Sequence, residues 1–289
     1  MKKALLFPLK AAFALLPYKI QQKICVKIRN LPQRARILFY KDIILGNRFI
    51  KKMEIESPDV FLRLPAKTRL NLKDYSQATL FYEPLPAFLP SLIAFCDENT
   101  GFYDIGSNIG MVSLAMSRLI PSRNICAFEP VPSTFARLAE NMKLNDSEAN
   151  LYQIAISSKS AELEINSPKI DSGSSTLENK EDISNIHNIH TVINKIWVKS
   201  LTFEDWEREN PASHPKVAFK IDVEGHELHT LAGMEKFLRK YTGKILMILE
   251  VQKQNGEKAH EFLVKAGLFP IISAQGILTH HQDCIYAKL

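Results

Sequence analysis

Residues 102–119, FYDIGSNIGMVSLAMSRL, restrict the fold more than any other stretch of the chain. Phe102 to Ile105 is a short apolar run containing Asp104 and closed by Gly106, as in a buried strand that breaks into a turn. Gly106 and Gly110 bracket Ser107, Asn108 and Ile109, and then Val112, Leu114, Ala115, Met116 and Leu119 recur at helical spacing. A strand, a tight glycine turn and a helix N-terminus in succession make a seat for a nucleotide-like ligand at the carboxyl edge of a sheet. The glycines let the backbone come close to that ligand, and the acid at the strand end can meet a positive or hydroxyl-bearing group.

The pattern is D-x-G-x-N-x-G rather than G-x-G-x-x-G, so it lacks the glycine pair that seats a pyrophosphate on the helix. That disfavours a dinucleotide oxidoreductase and favours a ligand such as S-adenosylmethionine. A second apolar run, 124–129, ends in Glu129, just over twenty residues past the turn, where a carboxylate can accept both ribose hydroxyls. Ser133 is the expected N-cap of the following helix. Leu151–Ser157 is expected as a third strand and 161–165 as a short one, followed by a polar loop over 166–195 centred on Gly173–Thr176. His187 and His190 in that loop have no third ligand nearby and are read as solvated. Val217 to Ile221 is a further apolar strand running into Asp222, Glu224, Gly225 and His226. Period-2 alternation would put Lys220, Asp222 and Glu224 on one side. The near-continuous apolar run 244–251 contains Glu250 and suits a strand covered on both faces.

Strands alternating with helices from residue 100 onward predict an α/β doubly wound, mostly parallel sheet, with Asp104, Glu129, Asp222 and Glu250 along one rim. The region 41–99 reads as a cap over the sheet edge, with Val60 to Leu64 as a candidate strand and a short helix over 91–97.

The +6 net charge of the 289 residues is unevenly spread: residues 1–52 hold thirteen Lys or Arg against Asp42 alone. Ile20, Ile24, Ile28 and Leu31 fall at helical spacing beside a row of Lys19, Lys23 and Lys27, a basic amphipathic helix. It can pack its apolar row on the main domain or lie, with the rest of residues 1–40, on a membrane. Nucleic acid is disfavoured, because no aromatic residues interleave with the charges. The apolar start of the chain is too short and too broken by Pro8 and Lys10 to span a bilayer. Cys25, Cys96, Cys126 and Cys284 are scattered, with neither a disulfide nor a zinc spacing, as suits a reducing cytoplasm. A cytoplasmic protein is expected, peripheral on the inner membrane face if the basic arm docks there.

DIGSNIG, AFEPVPSTFARLAENMKLN, the GSST loop and KIDVEGHE with the downstream LEV resemble the FkbM family of S-adenosylmethionine-dependent methyltransferases. The resemblance covers about residues 80–289 and implies a class I methyltransferase (Rossmann-like) fold. That fold is a seven-stranded sheet with helices on both faces and an antiparallel last strand, carried by a domain over 81–289 behind an N-terminal extension over 1–80. It implies that Asp104, Gly106, Ser107, Asn108 and Gly110 hold the methionine part of the cofactor and Glu129 the ribose, with Pro130, Ala155 and Ile156 beside the adenine. Glu204 departs from the aspartate more common at its place in the family. Asp222, Glu224 and His226 are the candidate general bases, Asp222 preferred because it lies at the strand end nearest the transferred methyl. A divalent ion on Asp222, Glu224 and Glu250 is the weaker alternative, since Lys220 already balances a charge there. The N-P-P-Y tetrapeptide of amino-methylating enzymes is absent. The expected activity is O-methylation of a sugar hydroxyl in a cell-surface or lipid-linked glycan. The alternatives are a small-metabolite acceptor, or a non-catalytic membrane-docked adapter, against which the intact turn and Glu129 argue.

Overall fold

The structure is a computed structural model and describes residues 10–28, 35, 39, 43–44, 47, 50, 53–57, 66–74, 76–77, 86–168, 171–177, 185–186, 189–190, 192–276 and 281–289. The expected strand at 60–64 and His187 lie outside them. In chain order the strands are β1 Glu54–Ser57, β2 Thr68–Asn71, β3 Thr100–Ile105, β4 Ile125–Phe128, β5 Asn150–Tyr152, β6 Ala155–Ile156 and β7 Ala161–Pro168, then β8 Asn185–Ile186, β9 Ile189–His190, β10 Ile193–Leu201, β11 Lys216–Ile221, β12 Lys244–Gln252, β13 Phe269–Ile272 and β14 His281–Lys288. The helices are α1 Tyr18–Ile28, α2 Leu89–Phe95, α3 Met111–Met116, α4 Pro132–Lys143, α5 Phe203–Glu209, α6 Glu227–Ala232, α7 Glu235–Lys240 and α8 Gly256–Lys265.

Seven strands form one sheet in the order β13-β14-β12-β11-β3-β4-β5. β12, β11, β3, β4 and β5 run parallel, and β14 lies antiparallel to both β12 and β13. This is the class I methyltransferase arrangement. The central strands are buried on both faces, and alternate residues feed two separate cores. Phe102, Ala127, Ala218, Leu246 and Ile285 enter one core, with Leu114, Leu138 and Met142. Their neighbours Tyr103, Phe128, Phe219, Met247 and Tyr286 enter the other, with Phe203, Trp206, Leu231 and Leu263. Phe13, Cys25, Met53, Ile55 and Leu70 belong to the first core, so that side of the sheet is covered partly by α1, β1 and β2. Arg137 of α4 ties this layer on, pairing with Glu54 and with Glu140 at 2.9 Å.

Two local expectations are corrected. Leu151–Ser157 is not one strand, because β5 joins the large sheet through β4 while β6 pairs with β10 in a second sheet ordered β6-β10-β7. Ser133 does not cap its helix; α4 starts one residue earlier at Pro132, whose fixed φ suits a first helical position, and Val131 is the N-cap. After β11 come two short helices, α6 and α7, interrupted at Gly233 and Met234. Gly233 sits where a Cβ would meet the Ser157 carbonyl oxygen at 2.0 Å, which fixes its identity.

Candidate active site

The parallel register of β3 and β11 places Asp104 opposite Lys220, on the same face of the sheet. Asp104 is fully buried, and its Oδ2 accepts from the backbone N and the hydroxyl of Ser113 at 3.1 and 2.6 Å, which holds α3 against the end of β3. Its Oδ1 has no hydrogen-bond partner and lies 3.8 Å from Lys220 Nζ. Lys220 Nζ donates to Asp222 Oδ2 and to the Gly106 carbonyl, each at 3.1 Å. Burial pulls the lysine pKa down, but Asp222 and Asp104 outweigh it and hold the ammonium above its ordinary value. Burial pushes Asp104 up, against the opposing pull of Lys220.

The turn after β3 passes almost against the turn after β11. Asp222 N donates to Ile105 O at 3.1 Å, and a Cβ on Gly106, whose φ is +75°, would stand 1.8 Å from the Asp222 carbonyl oxygen. Asn108 also lies in the left-handed region, at φ 49°, which asparagine tolerates. Its backbone N donates to Glu129 Oε2 at 3.1 Å, while Val131 N donates to Oε1 at 2.9 Å. Glu129 is thus clamped at the start of α4, with one main-chain donor on each oxygen and acceptor capacity left on both.

Gly106, Asn108, Glu129 and Asp222 face a cleft of ≈ 340 Å³ at the carboxyl ends of β3, β4, β11 and β12. Gly106, Asn108, Glu129, Pro130, Ala155 and Ile156 line one part of it, beside Phe128, Ile154, Ile165 and Leu177. Asp222, Glu224, His226 and Glu250 line another part. Asp104, Ser107 and Gly110 are not among the lining residues. Asp104 is turned to α3 and Lys220, and Ser107 is buried with its hydroxyl unpartnered. Gly110 makes room for Leu138 and Met142, which a Cβ there would meet at 2.5 and 2.6 Å.

The expected alternation beyond β11 holds for Asp222 and fails at Glu224, whose φ of 52° turns the chain before Gly225 at φ 106°. Thr176 Oγ1 donates to the Glu224 carbonyl at 2.7 Å. His226 is the N-cap of α6 and is buried, its Nε2 2.9 Å from Ser157 Oγ and its ring stacked on His229 at 4.7 Å. Among the described residues no three His, Cys, Asp or Glu side chains gather as ion ligands. Glu204 of α5 lies at the start of α7, accepting from Lys236 N at 2.7 Å.

The roof is what local sequence reading could not supply in detail. Ser172, Gly173, Ser175 and Leu177 close over the cleft, and Ser76 joins them from a segment almost a hundred residues earlier. Asp74 accepts from the Ser172 backbone N at 2.9 Å and its hydroxyl at 3.2 Å, Gly173 N donates to Ser76 Oγ at 3.1 Å, and Ser76 also bonds Asp171. Burial pushes the Asp74 carboxyl up to about 6.

Two cleft carboxyls titrate far above the ordinary 4.5. Burial pushes Glu129 up to about 7; Asp222, then burial and Glu224, push Glu250 up to about 9. A carboxyl raised on folding adds stability that is full below the unfolded pKa and is lost as pH climbs through the folded one. The melting temperature of the ligand-free protein is therefore expected to fall from about pH 5 to about pH 9, and Glu250→Gln to flatten the upper part of that fall. A melting curve unchanged above about pH 7 in the parent protein would show that Glu250 is already ionised there.

An adenosyl sulfonium fits this donor set. The clamped Glu129 suits a diol, the apolar walls from Phe128 and 154–156 suit a flat base, and the carboxylates opposite suit a positive sulfur. The Methyltransferase FkbM domain family matches residues 104–269. A methyltransferase of Beauveria bassiana is 30% identical over 148 residues, covering 48% of this chain and 59% of its own length. A hexuronic acid methyltransferase of Haloferax volcanii is 28% identical over 148 residues, covering 51% and 55%. The chain thus spans little more than half the length of these two relatives. The crystal structure of an FkbM methyltransferase from Methylobacillus flagellatus aligns over 74% of this chain and 55% of its own, at 11% identity and a TM-score of 0.39.

Proposed function

We propose that this chain, which belongs to the FkbM methyltransferase family, transfers a methyl group from S-adenosylmethionine to a sugar hydroxyl of a glycan or lipid-linked saccharide. The observation that carries the reading is Glu129, a buried carboxylate on the cleft wall with both oxygens oriented by backbone donors at 2.9 and 3.1 Å. Glu129 would accept the ribose hydroxyls, Pro130, Ala155 and Ile156 would flank the adenine, and Gly106 and Asn108 would adjoin the methionine part. The bound cofactor would supply an electrophilic methyl on a positive sulfur.

The residues of this chain do the rest. Asp222 is held in direction by Lys220 at 3.1 Å, at the cleft wall, and would accept the hydroxyl proton as the methyl transfers. His226 is a poorer base here, since its Nε2 already meets Ser157. Glu224 and Glu250 would hydrogen-bond neighbouring hydroxyls and fix which one attacks. The roof of Ser172–Ser175 would exclude water, which would otherwise compete as nucleophile. Support for a saccharide acceptor comes from the hexuronic acid specificity in the name of the Haloferax volcanii relative.

Calorimetric titration with S-adenosylmethionine and with S-adenosylhomocysteine tests the reading. Micromolar binding is expected, weakened about 30-fold or more by Glu129→Ala, because two charge-assisted hydrogen bonds are lost. No binding by folded protein would overturn it. Asp222→Asn is expected to lower kcat by roughly 10²–10⁴ with cofactor affinity nearly kept; full turnover would remove Asp222 as the base.

A further inference from the structure

Residues 10–15 form a helical turn that meets α1 at a bend over Leu16 and Pro17. α1 lies with Gln21 and Cys25 buried and Ile24 and Ile28 packed on the first core. Gln21 Nε2 donates to the carbonyls of Ala14 and Leu16 at 3.2 and 2.8 Å, which locks the bend. Tyr18 and Gln22 bond the Glu54 backbone, so the whole element is presented rigidly on the domain.

Its outer side is unusual. Leu15 is 85%, Ile20 45% and Leu16 36% exposed, a group of large apolar side chains on water at the bend. Along the helix from there run Lys19, Lys23 and Lys27, one turn apart, all exposed and none paired with any described residue. Residues 10–28 contain no acid. A surface with apolar tips at one end and an unneutralised ammonium row beside them is complementary to the headgroup boundary of an anionic bilayer. It is not complementary to a second copy, whose lysines would repel, nor to a nucleic acid, which offers nothing to the leucines. No helix among the described residues is long and apolar enough to cross a membrane, so such an element would lie in the interface rather than span it.

We propose that this outer face docks on an anionic lipid surface, with Leu15, Leu16 and Ile20 inserted and Lys19, Lys23 and Lys27 against lipid phosphates. Docking of this kind does not depend on the methyltransferase reading. It is tested by co-sedimentation of the full chain with phosphatidylcholine vesicles with and without about one-third phosphatidylglycerol. Binding is expected only with the anionic lipid and is expected to weaken with added salt. Lys19→Glu, Lys23→Glu and Lys27→Glu together should lower partitioning on the order of 100-fold. Leu15→Ser, Leu16→Ser and Ile20→Ser together should lower it with little change in salt dependence. The lysine variant should melt like the parent, since its altered side chains face water; the serine variant should still melt cooperatively at a modestly lower temperature, because Leu16 and Ile20 are partly covered. Failure to bind anionic vesicles, or equal binding by parent and both variants, overturns the proposal. So does lysine-dependent binding of duplex nucleic acid, or lysine-dependent self-association, in place of vesicle binding.

Discussion

Replacing Gly106 with alanine is expected to lower the unfolding free energy by roughly 3–5 kcal/mol and to abolish methyl transfer in the fraction that folds. Two costs add. The left-handed φ of +75° is strained for any residue with a Cβ, and that Cβ would overlap the Asp222 carbonyl oxygen at 1.8 Å. Relief requires the turns after β3 and β11 to separate, which breaks the Asp222 N to Ile105 O bond and withdraws the proposed base from the cleft. Gly267→Ala supplies the control. Its φ is +87°, yet a Cβ there meets nothing within 4 Å, so strain acts alone and about 1 kcal/mol is expected. Urea melts of the two variants separate overlap from strain; equal losses would show that the close approach carries no cost of its own.

Lys220→Met is the second large effect. It leaves Asp104, wholly buried, facing a side chain without charge, and removes the donor to Asp222 and to the Gly106 carbonyl. Removing one partner of a buried ion pair costs about 3–5 kcal/mol. The defect has a pH signature. Burial already raises Asp104, and without the ammonium that rise grows, so the variant is stable only where the carboxyl is protonated. Its stability deficit is therefore expected to be greatest at alkaline pH and to shrink toward acid. Asp104→Asn in the same chain should recover most of the fold but not activity, because Asp222 would still lack its orienting partner. A double variant no more stable than Lys220→Met alone would place the function of the lysine elsewhere.

The central strands were legible because both-face burial writes long apolar runs such as 244–251, and the turn because Asp104, Gly106 and Gly110 have few other uses at that spacing. Glu129 was legible for the same reason, as an acid closing a buried strand. Other features were not, each for a physical reason. The chain from Leu151 to Ser157 keeps its apolar character while it changes sheets, so nothing in composition marks the break between β5 and β6. Period-2 counting carried Glu224 along with Asp222, but the strand stops at Ile221 and the left-handed backbone at Glu224 ends the alternation. Asp104 looks like a ligand contact in sequence, yet the register that sets it opposite Lys220 is decided across strands. Pairings such as Asp74 with Ser172 join positions almost a hundred residues apart, and no local pattern announces them.

Those last bonds bear on how a cleft of this kind changes its preferences. The floor comes from strand ends within the family-matched residues 104–269, while part of the clasp holding the ceiling, Asp74 and Ser76, comes from outside them. Floor and clasp can thus vary separately. A lineage could reshape what is admitted above the donor by editing a few serines and one aspartate in the clasp, leaving the strand ends untouched. The firmness of the ceiling would then be inherited with the amino-terminal layer, while the acids at the strand ends would keep the choice of attacking hydroxyl.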